Sequence, residues 1–309
     1  MNEREVWTAL SPHLRKTTFI ESERLDAEVG ARVLLASETF QHTGSFKMRA
    51  AMAVALASSA PRLLTASSGN FGAALARAAA RSGKGCTVVM PARAAAVKIA
   101  AVQRFGATVD LIDTDRVTRN ARLAELAAAD PAAEAVSPFD DDRVIAGNAS
   151  LGAELFAREV PECVLVPVGG GGLSSGMVVA RDRLALRCEV LGAEPLTAND
   201  AARSLAGGVL VANAREPDTL ADGARTLSLG QRNWAILRGG LGGIVEVPEE
   251  AIARAVRLLY DTANLKAEPT GALALGALLA APARFAGRRV ACIVSGGNVD
   301  GALYARLVG

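Results

Sequence analysis

Short apolar runs alternate with longer, alanine-rich amphipathic ones along this chain. The runs RVLLAS (32–37), LLTAS (63–67), TVVMP (87–91), TVDLID (108–113), CVLVPV (163–168), EVLGAE (189–194), GIVEV (243–247) and VACIVSG (290–296) are compact and apolar, and read as strands. The segments 72–82, 94–105, 116–129, 149–159, 173–186, 249–263 and 270–280 between them read as helices. Strands apolar almost throughout are buried on both faces, the pattern of parallel sheets covered by helices on either side. The expected class is α/β, with open, twisted, mostly parallel sheets. The segment DPAAEAVSPFDDDR (130–143) reads as a connection whose aspartates 140–142 are solvated. No repeat, linker or low-complexity tail interrupts the pattern.

At 309 residues the chain exceeds one average domain, so one large or two interlocked domains are expected. Half the residues are apolar but only 4% are aromatic, so Ala, Val and Leu must fill the core. The net charge of +2 gives no reason to expect a nucleic-acid or anionic-membrane partner. The N-terminus MNEREVWTAL lacks the apolar core of a signal peptide. The most apolar stretch, 272–281, is shorter than the ~20 residues a membrane span needs. A cytoplasmic location is the expectation. The four cysteines show no CxxC spacing and read as buried thiols.

With two histidines, a His-based metal site or relay has little material. Lysine is scarce as well, at five against 29 arginines. Where positive charge is so often arginine, a lysine points to a need for an amine, because arginine neither loses its proton nor forms an imine.

Four segments carry candidate chemistry. In VPVGGGGLSSG (166–176) a strand feeds four glycines and then a helix, which aims backbone N–H groups and a helix dipole at an anion; a phosphate is the reading. Ser175 breaks the strict GxGxxG pattern, but Gly170, Gly172 and Gly176 fit a looser one, and Glu194 stands where a ribose-binding acid would lie. A nicotinamide cofactor is therefore a rival for this segment. TGSFKMRAA (43–51) opens a helix with Lys47 beside Phe46, a setting that disfavours the charged amine and suits a Schiff base. In TASSGNFGAALA (65–76) Ser67, Ser68, Gly69 and Asn70 precede a helix, where they either bind a carboxylate or simply cap it. VSGGNVDG (294–301) follows the last strand and could bring Ser295 to a ligand at the sheet's C-terminal edge.

In this order and spacing the four segments resemble the fold-type II pyridoxal-phosphate enzymes, specifically the serine/threonine dehydratase and serine racemase family, over nearly the whole chain. The resemblance implies a tryptophan synthase β-like fold with the active site between two domains: 1–59 and 142–309 as the cofactor domain, 60–141 as a smaller mobile one. It implies pyridoxal 5'-phosphate on Lys47, which also removes the α-proton. Phe46 would pack beside the cofactor, Asn70 would bond the ring hydroxyl, Gly169, Gly170, Gly171, Gly172 and Leu173 would cradle the phosphate, and Ser295 would meet the pyridine nitrogen. Ser67, Ser68, Gly69, Asn70 and Phe71 would line the substrate, with Ser68 the opposite-face acid/base of racemases. Gly223 and Thr226 would border the site. Glu194, the Ala198 carbonyl and Asp200 match a divalent-cation site, whose oxygen ligands suit Mg²⁺ or Ca²⁺.

The chain departs from the family at Phe71, where a histidine is usual, at Ala50, where a glycine is usual, and at 147–150, where GNAS replaces a GQGT-like run. The Phe71 change bears on substrate identity more than on reaction type. The expected activity is β-elimination of water from an L-serine- or L-threonine-type amino acid, giving a 2-oxo acid and ammonia. A racemase or a 3-hydroxyaspartate dehydratase on the same scaffold are the near alternatives. A nicotinamide-dependent oxidoreductase and a non-catalytic binding protein are the distant ones. The resemblance also suggests a homodimer, and a chain ending soon after 301 is not expected to carry a C-terminal regulatory domain.

Overall fold

The structure is a computed structural model that describes residues 3–67, 69–94 and 96–309, with side chains from residue 6 onward. In chain order the helices are α1 (Glu3–Leu10), α2 (Glu23–Val29), α3 (Lys47–Ala57), α4 (Asn70–Arg81), α5 (Ala96–Gln103), α6 (Arg119–Ala129), α7 (Asp142–Arg158), α8 (Gly172–Arg183), α9 (Asp200–Gly207), α10 (Gln231–Gly240), α11 (Glu249–Ala263), α12 (Pro269–Ala280), α13 (Pro282–Phe285) and α14 (Gly301–Val308). The strands are β1 (Thr18–Ile20), β2 (Arg32–Ser37), β3 (Arg62–Ala66), β4 (Gly85–Pro91), β5 (Thr108–Ile112), β6 (Ala133–Ala135), β7 (Cys163–Pro167), β8 (Glu189–Pro195), β9 (Ile244–Val247) and β10 (Arg289–Val294). They form two compact units. One comprises the stretch up to Leu14 with Lys47–Gly147; the other comprises Arg15–Phe46 and Asn148–Gly309. The expectation counted 1–59 and 142–309 with the larger body, but the stretch up to Leu14, 47–59 and 142–147 group with the smaller unit, where α3 packs on α4.

The smaller unit has a four-stranded parallel sheet in the order β5-β4-β3-β6. Its core joins one face of β4 (Cys86, Val88, Met90) to Met48 and Met52 of α3 and to Phe71 and Leu75 of α4. Alternate β4 residues point the same way, so one strand can meet both helices. Gly147, the last residue of this unit, lies close against α3, where a Cβ would meet the Arg49 carbonyl oxygen at 2.6 Å and Ala53 Cβ at 2.8 Å.

The larger unit has a six-stranded sheet in the order β1-β2-β10-β7-β8-β9, parallel except for β1. Helix α12 lies across β7 to β10, α11 packs on α12, and α2 and α14 pack on α11. Leu165, Leu191, Ala193 and Cys292 face this layer. Helix α8 packs on β7 and β8, and α10 packs on α8. Apolar positions 252, 255, 256 and 259 put a stripe along α11, which ends at Asn264 in the left-handed region with φ of 50°. Ser22 caps α2, its side chain accepting from Leu25 N at 3.3 Å.

All eight expected strands are present within a residue or two of their expected ends. The segment 130–143 is more than a connection: it holds the edge strand β6 and the first residues of α7, which starts at Asp142 rather than at 149. Of its aspartates, Asp141 is not simply solvated, because it pairs with Arg143 at 2.6 Å. All four cysteines are buried and free, as expected. Among the described residues no helix is long and apolar enough to cross a membrane.

Candidate active site

In the larger unit, β7 delivers the chain into the glycine turn that starts α8. Gly171 has φ of +90°, which L side chains rarely adopt. A Cβ there would come within 2.8 Å of Asn233 Cβ and 2.9 Å of Leu229 Cδ2. The turn is fixed from behind: Asn233 Nδ2 donates to the Gly170 carbonyl at 2.8 Å, and Gly230 N donates to the same oxygen at 3.1 Å. The Gly171 carbonyl accepts from Ser174 Oγ and Ser175 N. With the carbonyls thus engaged, the N–H groups of the first turn of α8, which have no intrahelical acceptor, are free to meet an anion. Gly169 lies against the backbone of 223–224, where a Cβ would sit 3.2 Å from the Gly223 carbonyl oxygen. The structure thus joins Gly223 to the turn. Gly223 N donates to Thr270 Oγ1 at 2.9 Å. Thr226 Oγ1 nearby is buried with no hydrogen-bond partner, and Leu173 is 5% exposed.

In the same unit, Ser295 follows β10 and is 2% exposed. Its carbonyl accepts from Phe46 N at 2.9 Å. Ser45 bridges to Gly296, Gly297 N donates to the Gly44 carbonyl at 2.9 Å, and Asn298 Nδ2 donates to the Thr43 carbonyl at 2.8 Å. Gly44 is required here, with φ of 73° and no room for a Cβ beside the Asn298 amide. The segment that ends at Phe46, immediately before Lys47, is therefore clamped to the turn that carries Ser295.

In the smaller unit, Lys47 is the first residue of α3. Its Nζ donates to the Pro138 carbonyl at 2.8 Å and lies over the Phe71 ring, 5.6 Å from the centroid. Burial lowers the amine's pKa from its usual 10.5 to about 8. Phe71 lies in the first turn of α4, so Lys47 stands beside the helix start that follows the Ser67–Asn70 turn. Gly69 N donates to Ser67 Oγ at 3.4 Å, and a Cβ on Gly72 would meet the Ser67 carbonyl oxygen at 2.8 Å. Asn70 opens α4. Ser68 lies outside the described residues.

Two of the expected cation ligands, Glu194 and Asp200, lie close enough for the charge of Asp200 to act on Glu194. Glu194, at the end of β8, accepts from Ala201 N at 3.0 Å and Ala202 N at 2.9 Å. Asp200 Oδ1 accepts from Asn213 Nδ2 at 2.8 Å, while its Oδ2 is buried with no partner. Burial, and then the Asp200 charge, push Glu194 up to about 8; burial pushes Asp200 up to about 7. Ala198, two residues before Asp200, is buried. No three His, Cys, Asp or Glu side chains converge as a metal cluster among the described residues, so the third ligand of such a site would be a backbone oxygen.

A buried amine with a lowered pKa and a glycine turn at a helix start are the kinds of group that an aldehyde bearing a phosphate requires. Sequence reasoning missed the Pro138 carbonyl, Asn233 and Asn298. The first is a backbone atom, and the other two act on partners 63 and 255 residues away.

Comparison with known proteins gives the chain's relatives. The chain is 36% identical over 301 residues to an L-threo-3-hydroxyaspartate ammonia-lyase of Pseudomonas sp, covering 95% of this chain and 93% of that protein. It is 34% identical over 316 residues to a serine racemase of Oryza sativa subsp. indica, covering 98% and 92%. Among solved structures, a threonine deaminase of T.th. superposes with a TM-score of 0.90 at 40% identity, covering 96% of this chain and 97% of that one. Maize serine racemase gives a TM-score of 0.92 at 30% identity, covering 98% and 94%. These likenesses leave the nicotinamide reading of the glycine run without support. Residues 10–296 match the pyridoxal-phosphate dependent enzyme family, and the chain belongs to it.

Proposed function

We propose that this chain is an ammonia-lyase that dehydrates and deaminates a β-hydroxy amino acid of the L-serine or L-threonine type, giving a 2-oxo acid and ammonia. The observation that carries the reading is the Lys47 amine, lowered to about 8 by burial at the head of α3 and lying over Phe71.

The residues fit the cofactor. A Cβ would fill the Gly171 turn, and the backbone there is held open from behind by Asn233. Gly169, Gly170, Gly171, Gly172 and Leu173 would hold the phosphate, Phe46 would pack beside the ring, Asn70 would bond its hydroxyl, and Ser295 would meet its nitrogen. When bound, pyridoxal phosphate supplies an electron sink for the charge left on the substrate's α-carbon.

Lys47 Nζ takes the α-proton. A depressed pKa leaves about a tenth of the amine neutral at pH 7, far more than an ordinary lysine offers a general base. Ser67 and the N–H groups at the start of α4 would bind the substrate carboxylate, which the helix dipole favours. Gly223 and Thr226 would border the substrate. Ser295, a neutral hydroxyl rather than a carboxylate, would meet that nitrogen without enforcing a proton on it. Ser68 is assigned the opposite-face acid/base. Glu194, the Ala198 carbonyl and Asp200 would hold Mg²⁺ or Ca²⁺ in a structural role. That the larger unit holds the cofactor while the smaller one moves, a cytoplasmic location and a homodimer belong to the same proposal.

Serine racemases among the relatives favour a second activity, racemisation at the same α-carbon. One assay tests both: holoenzyme with L- and D-serine and L- and D-threonine, read for 2-oxo acid and for enantiomer exchange. The proposal expects 2-oxo acid from an L-substrate and none from Lys47→Ala. Enantiomer exchange without 2-oxo acid overturns it in favour of a racemase.

A further inference from the structure

The inference deepens the ammonia-lyase reading and rests on it. A carbon that gives its proton to Lys47 must approach Nζ to roughly 3–3.5 Å. Its substituents then fall within a few ångströms of whatever surrounds the amine. On one side is the face of Phe71, whose centroid is 5.6 Å from Nζ; on another is the Pro138 carbonyl, which accepts from Nζ at 2.8 Å. Neither group donates a hydrogen bond, and the ring face is electronegative. Phe71 is 1% exposed and packed among residues of α3, α4 and β4, so the ring is held in place.

The loop that supplies the Pro138 carbonyl continues into Asp140, Asp141 and Asp142. The arginine next to them is already shared: Arg143 pairs at 2.6 Å with both Asp141 and Glu134. A second carboxylate on the substrate, brought against this ring and this carbonyl, would lose its hydration without gaining a donor from either.

We propose that Phe71 is a specificity-determining residue that closes this side of the lysine site to an anionic side chain. The chain therefore takes β-hydroxy amino acids with neutral side chains and discriminates against 3-hydroxyaspartate, the substrate named for several of its relatives.

The test is steady-state kinetics of the holoenzyme with L-serine, L-threonine and L-threo-3-hydroxyaspartate, read as 2-oxo acid. Wild type is expected to show kcat/KM for 3-hydroxyaspartate at least about 100-fold below that for the better neutral substrate. Phe71→His places a donor at the ring position and is expected to narrow that ratio by roughly tenfold or more, chiefly through KM. Phe71→Leu keeps the site apolar and is expected to retain the preference for neutral substrates. A wild type that prefers 3-hydroxyaspartate overturns the inference while leaving the ammonia-lyase reading intact. So does a Phe71→His variant that slows all three substrates equally. Should that variant fail to fold, the wild-type ratio decides alone. Failure to turn over any of the three defeats the ammonia-lyase reading and the inference with it.

Discussion

Lys47 shows how burial shifts the charge of an ordinary side chain. With its pKa lowered to about 8, the amine has a neutral fraction at pH 7 roughly 300-fold larger than at its usual 10.5. Only the neutral amine attacks an aldehyde, so the sign of the effect is fixed: cofactor capture by the apoprotein rises with pH and levels off above the folded-state pKa. The rate at which the visible band of bound cofactor appears is therefore expected to inflect near pH 8. An inflection near 10.5 would mean that the amine is solvated. Lys47 was legible in the sequence because lysine is scarce here and this one follows Phe46 at a helix start. The Pro138 carbonyl that meets it was not, since a backbone oxygen leaves no mark in the sequence and its loop reads as polar and solvated.

Among the elements, the turn between β7 and α8 carries the sharpest steric requirement. Gly171→Ala would put a methyl into Asn233 and Leu229 at a φ of +90°. A cost of about 1–3 kcal/mol is expected, together with cofactor affinity weaker by tenfold or more, read by thermal unfolding and by cofactor titration. Unchanged affinity would detach the turn from the phosphate. Central strands such as β2, β7 and β10 were legible because burial on both faces demands continuous apolar residues. The three-residue edge strands β1 and β6 were not, because half-buried edges need no such pattern. The start of α7 was missed for a related reason: Asp142 and Arg143 belong to an acidic run that reads as a loop, although Val144 and Ile145, which follow, are buried. Nor did sequence signal the clamp of 43–46 on 295–298, whose bonds are mostly between backbone groups.

For the whole molecule, membership of a pyridoxal-phosphate dependent family makes cofactor-linked stability the expectation. A ligand that binds only the folded state stabilises it by about 2.7 kcal/mol at 100 times its Kd. Holoenzyme is therefore expected to melt several degrees above protein stripped of cofactor, with the difference restored by adding pyridoxal phosphate back. Identical melting curves would mean that the cofactor does not bind the native fold. The α/β class was legible from the alternation of apolar runs, and the family from four motifs in order; the grouping of α3 with the smaller unit was not, since it depends on packing against α4. The central claim is that the cofactor is joined to one particular amine. Borohydride reduction of the holoenzyme followed by peptide mapping tests it most directly: the phosphopyridoxyl group is expected on Lys47, and its appearance instead on Lys16, Lys84, Lys98 or Lys266 would contradict the account.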